Sequence, residues 1–538
     1  MVLLGQPKSR MSTFWQIDFA IVVIFLVGML AFGLYAGRGR GKSADSYFLG
    51  NRQFSWIAIG ASLFATNINS ASVLGASGLT SRIGIASSNN ELIGSVMLCL
   101  AAVFIIPIYI SQRLYTVPEF LEKRFNRAAK VIFGGSFVIQ SVLAGPIGFY
   151  ASGLAIIHIF GFPESSLFWI CLSIACCIGL YSIVGGLASV VYTDIIQASV
   201  LLLGCLVLTL FGLSKVGGLS MLYQSLGPEY FSLLRPANDF LMPWTAVVSG
   251  MTLHSAFFAL CSVAVLQRTL GARDVFHAQC GLLFGAFLKL VGVVVLILPG
   301  LIALRLYPEA TGDASLPVLI RELLPVGFSG LVLAALLCAT MSTADSGVCA
   351  ISSVVALDLY PAFVRKANPQ KAVVVGRITA ALVLLFGVCL APLYANMGLV
   401  YLMVLKVGAP LAVPVGTCYL FGRFSSRVNE QGAVVTLLLG FLLAFAYVIS
   451  TSVSSLAVLL PSWLLSAHFY HLIPGFFVFS TCVLFAVSWL TPPPRPEQLS
   501  ILTVTKPTGN EEHIWGRRIF KLSIILMLFI VGSLYVLL

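Results

Sequence analysis

The sequence predicts an all-α membrane protein of about fourteen transmembrane helices. Three observations carry that prediction. The chain has 538 residues, of which 59% are hydrophobic and 9% charged, where a soluble domain averages about 25% charge. Apolar surface in that proportion needs the bilayer as its solvent. Apolar runs of roughly the 20 residues needed to cross hydrocarbon recur along the whole length, joined by short connections. Finally, lysine and arginine are distributed unequally between alternate connections.

Helices are expected at 17–36, 55–79, 92–112, 131–160, 167–186, 190–214, 242–267, 279–304, 329–357, 372–395, 397–422, 433–450, 470–490 and 518–538. The first run is longer than the roughly 7–15 residues of a signal-peptide core and lacks a small-residue cleavage site behind it, so it reads as a retained helix. The segment 491–516, opening Thr491-Pro492-Pro493-Pro494, reads as a linker to a peripheral last helix. The twelve cysteines sit in apolar runs, as Cys99, Cys171, Cys176, Cys177 and Cys205 show, and read as small buried hydrophobes. With the N-terminus outside, 22 of the 31 Lys and Arg fall in cytoplasmic connections, among them Arg113, Lys123, Arg124, Lys130, Arg268 and Arg365. Outer connections hold 5 (Arg82, Lys215, Arg235, Arg305 and Arg321), the N-terminal tail holds Lys8 and Arg10, and Lys289 and Lys406 lie within helices. The positive-inside rule then puts both termini outside. It also turns the net charge of +12 toward the anionic inner leaflet rather than toward nucleic acid.

The second helix is unusual. Residues 60–78, GASLFATNINSASVLGASG, set Ser62, Thr66, Asn67, Asn69, Ser70, Ser72 and Ser77 among glycines. Hydroxyls can bond back to their own helix, and small residues allow close packing. Two asparagines two residues apart are harder to satisfy that way and suggest a discontinuous helix, whose freed carbonyls can ligate a cation.

The ninth helix contains ATMSTADSG (339–347). At about 100° per residue, Ser342, Asp345 and Ser346 share a face, with Thr343 beside them. Their oxygens suit a small hard cation, although two hydroxyls can equally bond to carbonyls one turn back. Asp345 is a carboxylate inside a membrane helix, and such a group is a functional candidate by default. Asp194, in SIVGGLASVVYTDIIQ (182–197), is a second one, with a solvated helix-start aspartate as its alternative.

At these residues the chain resembles the sodium:solute symporter family, and is most similar to its sodium/glucose cotransporter branch. The resemblance runs from about residue 40 to 440. It includes the two motifs above with SIVGGLASVVYTDIIQ, IYISQRLYTVPEFLEKRF (108–125), VLQRTLGARDVFHA (265–278) and GRFSSRVNEQG (422–432). It implies a LeuT-like fold of two inverted five-helix repeats, here about 55–214 and 242–422, with 1–54 as an N-terminal extra helix and loop and 423–538 as peripheral helices. Each repeat would open on a broken helix, the second having weak points at Gly250 and Ser255. The family's main sodium site maps onto the carbonyls of Ala65, Ile68 and Ala339 and the hydroxyls of Ser342 and Thr343. Its second sodium site maps onto Asp194, Asp345 and Ser346. Asp345 stands where such members use serine, which suggests a second coupling ion, sodium or proton.

For the solute, the resemblance maps the sugar-contacting positions onto Asn67, Ser72, Glu91, Phe258 followed by Ala259, Lys289 and Leu405. A family histidine has become Ser72 and a glutamine has become Leu405, which cannot hydrogen-bond a hydroxyl. Glucose and galactose are thereby disfavoured, while another sugar or polyol fits. Lys406, in the central bundle, needs a partner, a cavity or a nearby surface. It could face an anionic solute such as a monocarboxylate or a sialic-acid-like sugar acid. His158, His254 and His277 form no motif.

The expectation is a sodium-coupled symporter importing a small polar organic solute across a bacterial inner membrane, with one chain sufficient for transport and sodium, in one or two copies, as coupling ion. A membrane enzyme would need a catalytic constellation that the loops lack. A sensor would be expected to carry a soluble signalling domain, and a channel would not drive uptake against a gradient.

Overall fold

The computed structural model describes residues 11–39, 43–364, 368–394, 400–452, 461, 464–465, 467–502 and 511–537. The charges expected at Lys8, Arg10, Arg40, Lys42, Arg365, Lys366 and Lys506, and the start of the helix expected at 397–422, lie outside them.

The described chain is nearly all helix. In order it forms α1 (Met11–Gly37), α2 (Trp56–Asn67), α3 (Ser70–Ile83), α4 (Asn89–Phe104), α5 (Val117–Arg124), α6 (Arg127–Phe160) and α7 (Leu167–Val216). There follow α8 (Thr252–Cys261), α9 (Val263–Leu270), α10 (Val275–Leu306), α11 (Phe328–Ser353), α12 (Pro369–Leu390), α13 (Val400–Phe424), α14 (Glu430–Ser452), α15 (Phe469–Leu490) and α16 (Glu511–Leu537). Among the described residues, eleven helical stretches are long and apolar enough to cross a membrane. α11 lies at the centre: 78% of its most apolar window is buried, against 22% for α1.

Three interruptions shape the site. The expected break in the second helix falls at Ile68, whose φ/ψ of −104°/86° ends α2. Asn69 then caps α3, its side chain accepting the Ser72 N–H at 2.6 Å. The second break is not at the expected weak points. Gly250 lies in a π-helical segment, Val247–Met251, and Ser255 lies in regular helix. The chain turns instead at Ser262, where φ/ψ is −65°/113° between α8 and α9.

The third is Gly186 in α7, at φ 63° and ψ −156°. Such a backbone is open to glycine and strained for other residues. Fifty residues of straight helix would measure about 75 Å, more than twice the hydrocarbon thickness. Tyr181 and Asp194 would then stand about 20 Å apart along the axis. They converge instead on one buried cluster, described below, so Gly186 folds the two expected helices back on one another with no connecting loop.

Local signals place α5 as well. Thr116 caps it by accepting the Glu119 N–H, Pro118 lies in its first turn, and Lys123 and Arg124 close its last turn, as the helix dipole favours. Arg124, expected in a cytoplasmic loop, is fully buried. Its Nε donates to Gly422 O at 2.7 Å and one Nη to Ser425 O and Val428 O at 2.9 and 3.1 Å, tying α5 to the end of α13. Burial lowers its guanidinium to about 10.

Candidate functional site

Where α2 stops, its last carbonyls have no partner within the helix. They turn to α11. The Ser342 hydroxyl donates to Ala65 O at 2.8 Å and lies 3.3 Å from Ala339 O, and the Thr343 hydroxyl donates to Thr66 O at 3.1 Å. Thr66 and Ser346 share a hydroxyl hydrogen bond of 2.8 Å. Ala65, Ile68, Ala339 and Ser342 are at most 1% exposed. Four of the five residues expected at the main sodium site thus meet at one crossing, and Ile68 lies at the adjoining break. The cluster is made of neutral oxygens.

One turn along α11 is a charged cluster. The Ser62 hydroxyl lies 2.5 Å from Asp194 Oδ2, the Tyr181 hydroxyl donates to Asp345 Oδ2 at 2.6 Å, and Ser346 Oγ lies 3.3 Å from Asp345 Oδ1. Asp194, Asp345 and Ser346 therefore meet as expected, and Asp194 is a buried residue rather than a solvated helix start. Between them lies a residue assigned from sequence to a cytoplasmic loop. Arg268, on the last turn of α9, is 1% exposed. Its Nε donates to Ser62 Oγ at 2.7 Å, one Nη donates to Ser346 Oγ and the other to Ala264 O, and the first Nη lies 3.8 Å from Asp194 Oδ2.

Beside the neutral cluster is a cavity of about 370 Å³, toward the small end of the 300–1,000 Å³ usual for small-molecule sites. Its wall includes Asn67, Ser72, Glu91, Phe258, Lys289 and Leu405 from the expected set, together with Thr343. Lys289 Nζ lies 2.9 Å from Glu91 Oε2, and both side chains are largely buried. Lys406 is not in the wall. It is exposed, and close enough to His468 to act on it electrostatically. Helical rotation explains this: Leu405, one residue earlier, takes the inward position. Sequence reasoning missed Gln140 and His254. Both line the cavity, and the Nδ1 of His254 is buried without a hydrogen-bond partner among the described residues. His254 precedes Phe258 by one turn, the single sequence signal that could have placed it on the same face.

A crossing of broken helices against a central helix, with a polar cavity enclosed by apolar spans, defines a multi-pass membrane transporter. The profile of the sodium:solute symporter family matches residues 47–440, and the chain belongs to that family. It is a sodium-coupled symporter of a small molecule and not an enzyme. It is 29% identical to the human sodium/myo-inositol cotransporter over 90% of this chain and 75% of that one. It is 27% identical to the bovine sodium/myo-inositol cotransporter 2 over 90% and 78%. The fold matches that of a sodium-coupled sialic acid symporter solved in a substrate-bound outward-open state, with a TM-score of 0.76 and 21% identity over 89% of this chain and 98% of that one.

Proposed function

We propose that this symporter imports a neutral polyhydroxylated solute of cyclitol or hexose size, coupled to sodium held by Ala65, Ile68, Ala339, Ser342 and Thr343. The ion pair of Glu91 and Lys289 in the cavity wall carries the substrate reading. Each charge is balanced by the other, so the wall offers donors and acceptors without net charge. Asn67, Ser72, Gln140 and His254 add hydroxyl-matching groups, and Phe258 adds an apolar face. The naming of two relatives as myo-inositol cotransporters agrees with a polyol. The anionic alternative rested on Lys406, whose exposure removes it from the cavity.

At the neutral cluster the hydroxyl protons of Ser342 and Thr343 now point at carbonyls. An arriving sodium ion would meet the lone pairs of those same carbonyls once the hydroxyls rotate their protons away. Binding would clamp the end of α2 to α11 and order the break at Ile68, which carries Asn67 on one side and Ser72 on the other into the cavity. Sodium would thereby raise solute affinity, and linkage requires the solute to tighten sodium by the same factor. Each charge moved inward adds about 2.3 kcal/mol of drive per 100 mV. Asp194, Asp345 and Ser346 form a second cation site, whose occupant is considered below.

The inverted repeats are about 55–214 and 242–422, flanked by 1–54 and 423–538. The breaks at Ile68 and Ser262 support that division, each lying near the start of its repeat. Fourteen crossings result when the stretches Ser72–Phe104 and Glu164–Val216 are divided at their turns and the last apolar helix is counted. The charge asymmetry of the connections supports both termini outside, and the membrane proposed is a bacterial inner membrane. A single chain, which encloses the cavity and both clusters, suffices for transport.

The test is uptake into proteoliposomes under a sodium or a potassium gradient, with neutral polyols and hexoses set against monocarboxylates and sugar acids. Sodium-driven uptake of a neutral polyol is expected. Uptake confined to anions would overturn the substrate reading.

A further inference from the structure

The charged cluster has a cation of its own. We infer that Arg268 is a tethered counter-ion that fills the second cation site of this symporter, so that the chain binds one sodium ion per cycle. The inference deepens the reading of the neutral cluster as the main sodium site.

Three observations carry it. The guanidinium is held by contacts from three directions, to Ser62, Ser346 and its own helix, and each of those hydroxyls also contacts a carboxylate of the site. A sodium ion at Asp194, Asp345 and Ser346 would need the space beside Asp194 that the guanidinium fills and the Ser346 lone pair that one of its N–H groups takes. Arg268 also stands beside one carboxylate of the pair, 3.8 Å from Asp194 Oδ2, while the Tyr181 hydroxyl donates to the other. Finally, the guanidinium rides on α9, the arm beyond the break at Ser262. A rocking of that arm would carry the positive charge toward or away from Asp194, performing inside the protein the step that a free second ion performs elsewhere.

The probe is radioactive sodium, counted as ions bound per purified full-length chain. One ion per chain is expected in the wild type and two in Arg268→Gln, where the amide leaves the carboxylates without a cation. Two ions on the wild type would overturn the inference. Should Arg268→Gln fail to fold, Ser342→Ala decides. At a sodium concentration that just saturates the wild type, this variant is expected to lose most of its bound ion. An ion retained by Ser342→Ala and lost on adding Asp194→Asn would show that the charged cluster takes sodium despite Arg268. An ion retained by both variants would instead refute the neutral cluster as the main sodium site, so the two readings fail separately.

Discussion

The two clusters on α11 share a helix face and even a residue, since Ser346 bonds to Thr66 of one and to Arg268 of the other. They differ in charge. The first consists of carbonyls and hydroxyls that satisfy one another, costs little to bury, and gains a positive charge only by taking one from outside. The second buries two carboxylates and is stable only because a guanidinium and a tyrosine hydroxyl come with them. On the readings proposed above, one region is built to exchange its ion and the other to keep it. A carboxylate within a membrane helix is therefore not by itself a sign of an exchangeable ion, for what stands opposite decides.

The comparison can be broken most forcefully at Arg268. Arg268→Leu strands a buried carboxylate pair, and removing one partner from such a cluster costs about 3–5 kcal/mol. We expect a large fall in detergent Tm in potassium buffer, and an unchanged Tm would mean that the guanidinium does not balance Asp194. The neutral cluster should yield less stability and more ion affinity. Ser342→Ala removes one contact to a bound cation, worth about 1.5–3 kcal/mol by analogy with a hydrogen bond to a charge. The sodium concentration for half-maximal uptake should rise at least about tenfold, with Tm in sodium-free buffer little altered; equal sodium dependence would remove the site from this crossing.

Lys406→Ala sharpens the contrast between inward and outward positions. Exposed charges contribute little, roughly 0–1 kcal/mol, so the solute KM should stay within a few-fold; a large rise would return Lys406 to the substrate. The smallest effect lies outside the membrane, in the loop before α8. Asp239 accepts the Leu241 and Met242 N–H groups at 2.9 and 2.8 Å and pairs with Arg235 at 3.0 Å. Burial pushes its carboxyl up, but the Met242 N–H, the Arg235 guanidinium and the Leu241 N–H outweigh burial and hold it below the usual range. A depressed folded value stabilises fully above the unfolded pKa of about 3.9 and is lost as pH falls through the folded one. Hydrogen exchange in 235–243 should therefore quicken below about pH 4, and Asp239→Asn should flatten that dependence.

Much of this site could be read from local chemistry. Asn67 and Asn69 are hard to satisfy together in an unbroken membrane helix, and the break lies between them. Ser342, Thr343, Asp345 and Ser346 share a surface because helical periodicity leaves them no alternative. Gly186 is a glycine because its φ of 63° admits little else, so the turn was marked even though a short gap was expected there. The break at Ser262 left no such mark. Its dihedrals suit any residue, and Gly250 and Ser255 drew attention by composition alone.

Apolar composition and periodicity thus determined that this chain is a helical membrane protein, and the small polar motifs marked which helices bring their oxygens together. The burial of Arg268, the outward turn of Lys406 and the entry of His254 into the cavity were decided only in three dimensions. A side chain's charge is written in the sequence. The charges opposite it, and the solvent it meets, belong to helices that are distant along the chain and adjacent only once α2, α7, α9 and α11 have packed.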